Sequence, residues 1–119
     1  MRFIWIGVGG AAGSMLRYLV GLWFSTARFP WATLSVNVVG SFALGLLFTY
    51  ALGRWSTTIT TGLAVGLIGG FTTFSTFTWE SLTMTQAGEI SRAAVYLAVS
   101  LVGGLLAALV GYAAGRALG

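Results

Sequence analysis

Apolar residues dominate four long stretches of the chain, and short polar breaks separate them. Each stretch is more than 20 residues long, and about 20 apolar residues in an α-helix cross a bilayer core. The breaks hold the only proline, Pro30, and charged residues such as Arg54 and Glu89. The pattern predicts an all-α integral membrane protein, a single membrane domain over residues 1–119, with transmembrane helices at about 3–24, 31–52, 57–84 and 93–115.

The composition agrees with a lipid environment. Charged residues make up 7% of the chain, whereas about a quarter is usual in soluble domains. Met1-Arg2 and the apolar run that follows are also typical of a signal peptide. However, the apolar pattern continues past Arg17 to Phe24, which is long enough to span. The expected partner is the lipid bilayer, and the expected location is the cell membrane, as in a bacterial inner membrane.

The ionisable side chains argue against catalysis and against nucleic-acid binding. The chain has no Cys, His, Lys or Asp and only two carboxylate side chains, Glu80 and Glu89. That set offers little for acid–base or metal chemistry, so an enzyme is not expected. The net charge of +4 comes from arginines that stand singly and form no basic run. Arginines at the membrane edges explain that charge better than a nucleic-acid partner does.

The arginines divide almost evenly between the two sides of the predicted membrane. Arg2, Arg54 and Arg116 fall on one side, and Arg28 and Arg92 fall on the other. Because the Lys/Arg bias of short loops sets orientation, this weak bias allows insertion both ways round. Two oppositely inserted copies then pair as an antiparallel, dual-topology homodimer. The alternative is that the modest bias fixes one orientation.

Small residues recur at helical spacing in three of the stretches. The ridges consist of Gly9 and Gly13, of Gly62, Gly66 and Gly70, and of Gly103, Ala107, Gly111 and Gly115. Such ridges let helices approach closely in lipid. They predict tight helix–helix packing.

A polar stripe lies in the uncharged second helix. Thr33, Asn37 and Ser41 are spaced four apart and so share one face. An amide and two hydroxyls on that face can donate hydrogen bonds to an anion. Hydrogen bonding between helices is the alternative role.

The middle of the third stretch is a poor helix. Gly69-Gly70 and the β-branched pair Thr72-Thr73 all have low helix propensity. We therefore expect the third helix to be broken here. A break exposes backbone carbonyls at membrane depth, and unwound carbonyls in transporters hold Na⁺.

Two aromatic and two hydroxyl side chains follow that region. Phe74 and Phe77 are spaced to share a helix face, and the positive edge of an aromatic ring can face an anion. Ser75 and Thr76 add hydroxyl donors. The alternative is an ordinary apolar core.

Two charged residues are candidates for an aqueous vestibule. Arg17 lies within the first helix, where it either snorkels to the interface or attracts anions to a vestibule. Glu80 follows Thr76 by four residues and Thr72 by eight, which on a continuous helix places all three on one stripe.

Three segments, in order, resemble the Fluc (CrcB) family of fluoride channels over the whole length of the chain. They are Gly9 to Gly13 with Arg17-Tyr18, then Thr33 to Gly40, and then Gly69 to Phe77, which is the most specific. The resemblance implies an antiparallel homodimer with two fluoride pathways, each using residues of both subunits. It further implies passive fluoride export that keeps cytoplasmic fluoride low and confers fluoride resistance.

The resemblance also implies roles for particular residues. Asn37 matches a polar pore donor, Phe74 and Phe77 match rings that contact fluoride, and Ser75 and Thr76 match a polar track. Gly69 and Thr72 match the backbone-carbonyl ligands of a central structural Na⁺ at the dimer interface. Arg17 matches a residue toward the vestibule. Ser100, in the fourth helix, has no assigned role.

Two other functions fit four short spans. Small multidrug-type transporters are dual-topology dimers too, but they carry a carboxylate in the first helix, where this chain has Arg17. A structural membrane subunit is the second rival. The Asn37 stripe and the irregular third stretch count against it.

Overall fold

The computed structural model describes residues 1–119 and contains helices and no strands. The elements are α1 Arg2–Trp23, α2 Trp31–Tyr50, α3 Thr57–Thr61, a π-helical segment Gly62–Ile68, α4 Gly69–Phe71, α5 Phe74–Gln86 and α6 Ile90–Leu118. Four helical stretches are long and apolar enough to cross a membrane, namely Arg2–Trp23, Trp31–Tyr50, Thr57–Gln86 and Ile90–Leu118. The prediction of an all-helical chain with four membrane-spanning helices is confirmed.

The predicted helix ends differ from the observed ones by a few residues. α2 ends at Tyr50 instead of 52, because the chain turns at Gly53, whose φ of 81° suits glycine. α6 begins at Ile90 instead of 93 and continues to Leu118 instead of 115. It takes in Arg92 and Arg116, and long charged side chains at helix ends can extend toward water while the backbone stays helical.

The helices pack as two pairs, α1 with the third span and α2 with α6. Glycine ridges make both contacts. A methyl group added at Gly9 would lie 2.6 Å from the Gly62 carbonyl oxygen, and one at Gly70 would lie 2.7 Å from that of Gly10. A methyl group at Gly111 of α6 would overlap the α2 backbone. In lipid the hydrophobic effect does not drive helices together, so close backbone packing of this kind is a main source of helix association.

Gly13 offers a test of that packing. A Cβ at Gly13 would overlap the Leu67 carbonyl oxygen and lie 2.8 Å from the Phe71 nitrogen, whereas a Cβ at Gly21 of the same helix meets nothing within 4 Å. We expect Gly13→Ala to lower the free energy of unfolding by about 1–3 kcal/mol, since the backbones must separate. Gly21→Ala is the matched control. Equal thermal midpoints for the two variants in detergent would contradict the packing described.

Few side chains are buried within one chain. Only 15 of 119 residues are buried, and most large apolar side chains of α1 and α6 face outward, as lipid requires. Five of the eight buried hydrophobic residues form a cluster beside α5, made of Leu34, Phe77, Met84, Ala93 and Tyr96. This cluster anchors α5 to α2 and α6.

The charged residues collect at the two ends of the helix pairs. Glu89 bonds Arg28 at 3.0 Å and Arg92 at 3.4 Å, so the α1–α2 and α5–α6 connections meet at one end. Arg54 donates from Nη2 to the Gly119 carbonyl at 3.3 Å, which places the α2–α3 connection beside the end of α6. The structure thus groups Arg28 with Arg92 and separates both from Arg54.

Candidate functional site

The third span leaves the helix at two residues, Thr72 and Thr73. Both are extended, with φ and ψ of −88° and 159° at Thr72 and −152° and 121° at Thr73. Helix α5 then begins at Phe74, with the Thr73 hydroxyl oxygen accepting the Thr76 N–H at 3.2 Å as its N-cap. We call Thr72-Thr73 the extended pair.

Asn37 of α2 binds the extended pair through its side-chain amide. Its Oδ1 accepts the Thr73 N–H at 2.9 Å, and its Nδ2 donates to the Thr73 carbonyl at 3.1 Å. An extended residue presents its N–H and C=O on the same side, so the amide pairs with Thr73 much as a neighbouring β-strand would.

Two carbonyl oxygens near the extended pair are left without a donor. In a continuous helix the Gly69 carbonyl accepts the N–H of residue 73, and the Thr72 carbonyl accepts that of residue 76. Here the Thr73 N–H bonds Asn37, and the Thr76 N–H bonds the Thr73 hydroxyl. None of the backbone hydrogen bonds of the turns and caps goes to the Gly69 or Thr72 carbonyl. The Gly70 carbonyl, by contrast, accepts Arg17 Nε at 3.3 Å.

A polar cavity of about 510 Å³ opens between α1, α2 and α5. We call it the vestibule cavity. It brings together Arg17 and Glu80, the two expected vestibule residues, with the hydroxyl-bearing side chains Thr33, Thr73 and Thr76. Arg28 also lines it, with its guanidinium paired to Glu89. Arg17 and Glu80 are therefore the two charges at the cavity wall that no ion pair neutralises.

A second cavity of about 260 Å³ meets the first at Thr73. We call it the inner cavity. It contains Asn37, Ser41, Thr72, Thr73 and Phe74. Thr73 lines both cavities.

The expected stripe of Thr72, Thr76 and Glu80 is not continuous. Thr72 faces the inner cavity, whereas Thr76 and Glu80 face the vestibule cavity. The expectation assumed one helix through all three positions, and the extended pair rotates the chain between Thr72 and Thr76. Thr76 and Glu80, which follow the extended pair, do share one face as expected.

The two phenylalanines differ in burial. Phe74 is 75% exposed, and Phe77 is 6% exposed, with their ring centroids 6.0 Å apart. Phe77 packs against Tyr96 at 5.1 Å in the buried cluster. Phe74 alone therefore offers a free ring edge within one chain.

The remaining candidate hydroxyls are already partly engaged. Ser41 donates to the Asn37 carbonyl at 2.7 Å, and Thr73 donates to Thr76 Oγ1 at 3.1 Å. Ser75 is exposed, with its Oγ 3.4 Å from Thr73 Oγ1. Ser100 Oγ is buried without a partner. Three hydroxyls, those of Thr73, Ser75 and Thr76, thus cluster at the start of α5.

The sequence did not single out Tyr96, which is fully buried and donates to Glu80 Oε1 at 2.9 Å. A signal existed, since a carboxylate between apolar helices needs a donor and Tyr96 is the only tyrosine near that end of α6. Thr73 was named only as a helix breaker. Its pairing with Asn37 joins residues 36 apart in sequence, and no local pattern reveals it.

Tyr96→Phe is expected to show how much the Tyr96 hydroxyl contributes to stability apart from the packing of its ring. The ring keeps its packing, and the loss of the hydrogen bond to Glu80 should lower the free energy of unfolding by about 1–2 kcal/mol. Tyr112→Phe is the control, because Tyr112 is 47% exposed. Chemical unfolding in detergent measures the difference. A midpoint unchanged from wild type would show that Glu80 gains nothing from Tyr96.

Comparison with known proteins identifies relatives over nearly the whole chain. The family described as "CrcB-like protein, Camphor Resistance (CrcB)" matches residues 4–112. A protein named fluoride-specific ion channel FluC from a strain of Thermus thermophilus is 46% identical, with 98% of this chain and 95% of the relative aligned. FluC 2 from Moorella thermoacetica is 41% identical over 99% of both chains. FluC from Agrobacterium fabrum is 42% identical over 95% of this chain and 94% of the relative.

Proposed function

This chain belongs to the CrcB family, and on that premise we propose that it is a fluoride-selective ion channel. Its relatives are named as fluoride-specific channels, a class of transport protein and not of enzyme. The observation that carries the proposal is that Thr73, which lines both cavities, is held by the amide of Asn37, which lines the inner cavity. Fluoride efflux from proteoliposomes, compared with chloride efflux, tests it.

The chemistry of the cavities suits a small anion. Fluoride is strongly hydrated, so a pathway must replace its water with many hydrogen-bond donors. Amide, hydroxyl and ring-edge groups donate without a fixed positive charge, and conduction needs binding weak enough for the ion to leave. The cluster of hydroxyls at Thr73, Ser75 and Thr76 is such a set.

Each pathway begins at the vestibule cavity. Arg17 lies at its wall and raises the local concentration of anions. Fluoride then passes Thr33 and Thr76 and reaches the inner cavity, where Asn37, Ser41 and Phe74 line its way. Phe77 supports the Phe74 ring from the buried cluster. Glu80 is held by Tyr96 at the vestibule wall.

An antiparallel homodimer completes the pathway. Within one chain the Phe74 ring is 75% exposed and the inner cavity lies open at the surface. A second copy related by a two-fold axis in the membrane plane covers both, and the symmetry then generates two pathways. Dual topology supplies the oppositely oriented copy.

A sodium ion at the dimer interface fits the free carbonyls. Gly69 and Thr72 offer oxygens with no donor, the type of ligand that unwound membrane helices present to Na⁺. The same two carbonyls of the partner complete a symmetric set of oxygen ligands. The ion would supply positive charge that holds the two subunits' extended pairs together.

The physiological role follows from passive conduction. Fluoride enters cells as the neutral acid HF and dissociates in the cytoplasm, so the anion accumulates there. A channel lets it leave down its electrochemical gradient. Export therefore needs no coupled ion and keeps cytoplasmic fluoride low.

A further inference from the structure

We infer that Asn37 is a positioning residue, whose side-chain amide keeps the third span open at Thr73 and keeps the Gly69 carbonyl free. The inference rests on the proposed function for its effect on transport. It adds to the expected role of Asn37 as a pore donor, because both polar atoms of the side chain bind the Thr73 backbone and only one N–H is left for an anion.

The first step concerns competition for the Thr73 N–H. Two acceptors are available for it, namely Asn37 Oδ1 and the Gly69 carbonyl four residues earlier. In the structure Asn37 holds this donor at 2.9 Å. Without the amide, the Thr73 N–H has no partner other than Gly69, and helix formation through residues 69–73 supplies it. Asn37 thus prevents the closure of the helix.

The second step concerns the start of α5. Thr73 is the N-cap of α5 and its hydroxyl holds the Thr76 N–H, which leaves the Thr72 carbonyl free as well. That cap requires the extended backbone that Asn37 stabilises. A single side chain therefore controls the direction in which α5 leaves, and with it the positions of Phe74 and of the hydroxyl cluster.

The third step concerns the one donor that Asn37 has left. A primary amide carries two N–H bonds, and one of them goes to the Thr73 carbonyl. The other lies in the amide plane, which the two bonds to Thr73 fix. Asn37 lines the inner cavity, so the bonds to Thr73 also fix the direction of this remaining N–H at the cavity wall. The same two bonds therefore hold the Thr73 backbone and orient the N–H that could donate to an anion.

Amide hydrogen exchange at Thr73 tests the inference without reference to transport. In the wild-type protein in detergent, we expect the Thr73 N–H to exchange about tenfold or more slowly than the N–H groups of Phe74 and Ser75. Those two stand in the first turn of α5, where an N–H has no acceptor within the helix. Equal exchange at all three positions overturns the inference, and this comparison needs no variant.

Two variants separate the acceptor from the donor. Asn37→Asp keeps an oxygen for the Thr73 N–H, so we expect the third span to stay open and the Phe74 N–H to exchange as in the wild type. Asn37→Ala removes that oxygen and lets the helix close, so the Phe74 N–H gains the Gly70 carbonyl as its acceptor and should exchange about tenfold or more slowly than in the wild type, while Ala107 in the middle of α6 stays unchanged. Wild-type exchange at Phe74 in Asn37→Ala overturns the inference.

Fluoride transport by Asn37→Ala then tests whether the bonds from Asn37 to Thr73 matter for function. We expect its fluoride flux to fall about tenfold or more, as the hydroxyl cluster loses its position. Slower exchange at Phe74 with wild-type flux overturns the positioning role. If the wild-type protein itself carries no fluoride while Phe74 exchange depends on Asn37, the proposed function fails and the structural role of Asn37 stands.

Discussion

Asn37→Asp is expected to abolish fluoride transport. The substitution puts a carboxylate at the wall of the inner cavity, where the structure places the Asn37 amide. Two like charges 4 Å apart repel by about 4 kcal/mol at an effective dielectric constant of 20, which corresponds to roughly a thousandfold in ion occupancy. The Asp side chain also loses the donor that binds the Thr73 carbonyl.

Gln86→Glu is the matched control for charge. It makes the same change from amide to carboxylate at an exposed position of α5 that lines neither cavity. We expect wild-type fluoride efflux from liposomes in this control and none above background in Asn37→Asp. Efflux at the wild-type rate in Asn37→Asp, with both proteins folded, would remove Asn37 from the pathway.

Phe74→Ile and Phe77→Ile are both expected to reduce fluoride flux by about tenfold or more, since the first removes an aromatic edge from the pathway and the second removes the ring that supports Phe74. Neither should dissolve the dimer. The structure adds a difference in stability. Phe74 is exposed within the chain, so its replacement should leave the thermal midpoint of the separated subunit unchanged. Phe77 packs against Tyr96, so Phe77→Ile should lower the free energy of unfolding by about 1–3 kcal/mol.

Phe48→Ile serves as the control for these variants. Phe48 is 46% exposed on α2 and lines neither cavity. Flux through Phe48→Ile should match the wild type. Normal flux in both Phe74→Ile and Phe77→Ile would assign the two rings to packing alone.

The four spans were predictable because hydropathy reports directly on burial in lipid. Their ends were less so, as Gly53 shows: the apolar pattern extends to residue 52, but the turn with positive φ at Gly53 ends α2 at Tyr50. The π-helical segment Gly62–Ile68 left no trace in hydropathy, since a change of hydrogen-bond partner from i−4 to i−5 alters no residue type.

The candidate site divides in a similar way. Helical spacing placed Thr33, Asn37 and Ser41 on one face of α2, and each of them lines one of the two cavities. The hydrogen-bond partners of the candidate side chains could not be predicted from the sequence. Asn37 binds Thr73 and Glu80 binds Tyr96 across different helices, and only the tertiary packing selects those pairs. Family resemblance named residues, whereas the hydrogen bonds distinguish a side chain that faces a cavity from one that holds the backbone.

The central claim is selective fluoride conduction, and anion efflux from liposomes tests it most directly. Purified protein is reconstituted in liposomes loaded with potassium fluoride or potassium chloride, and valinomycin carries the compensating K⁺. We expect rapid fluoride release and no chloride release above that of protein-free liposomes. Release of neither anion from folded, dimeric protein would contradict the account, and equal release of both would contradict its selectivity.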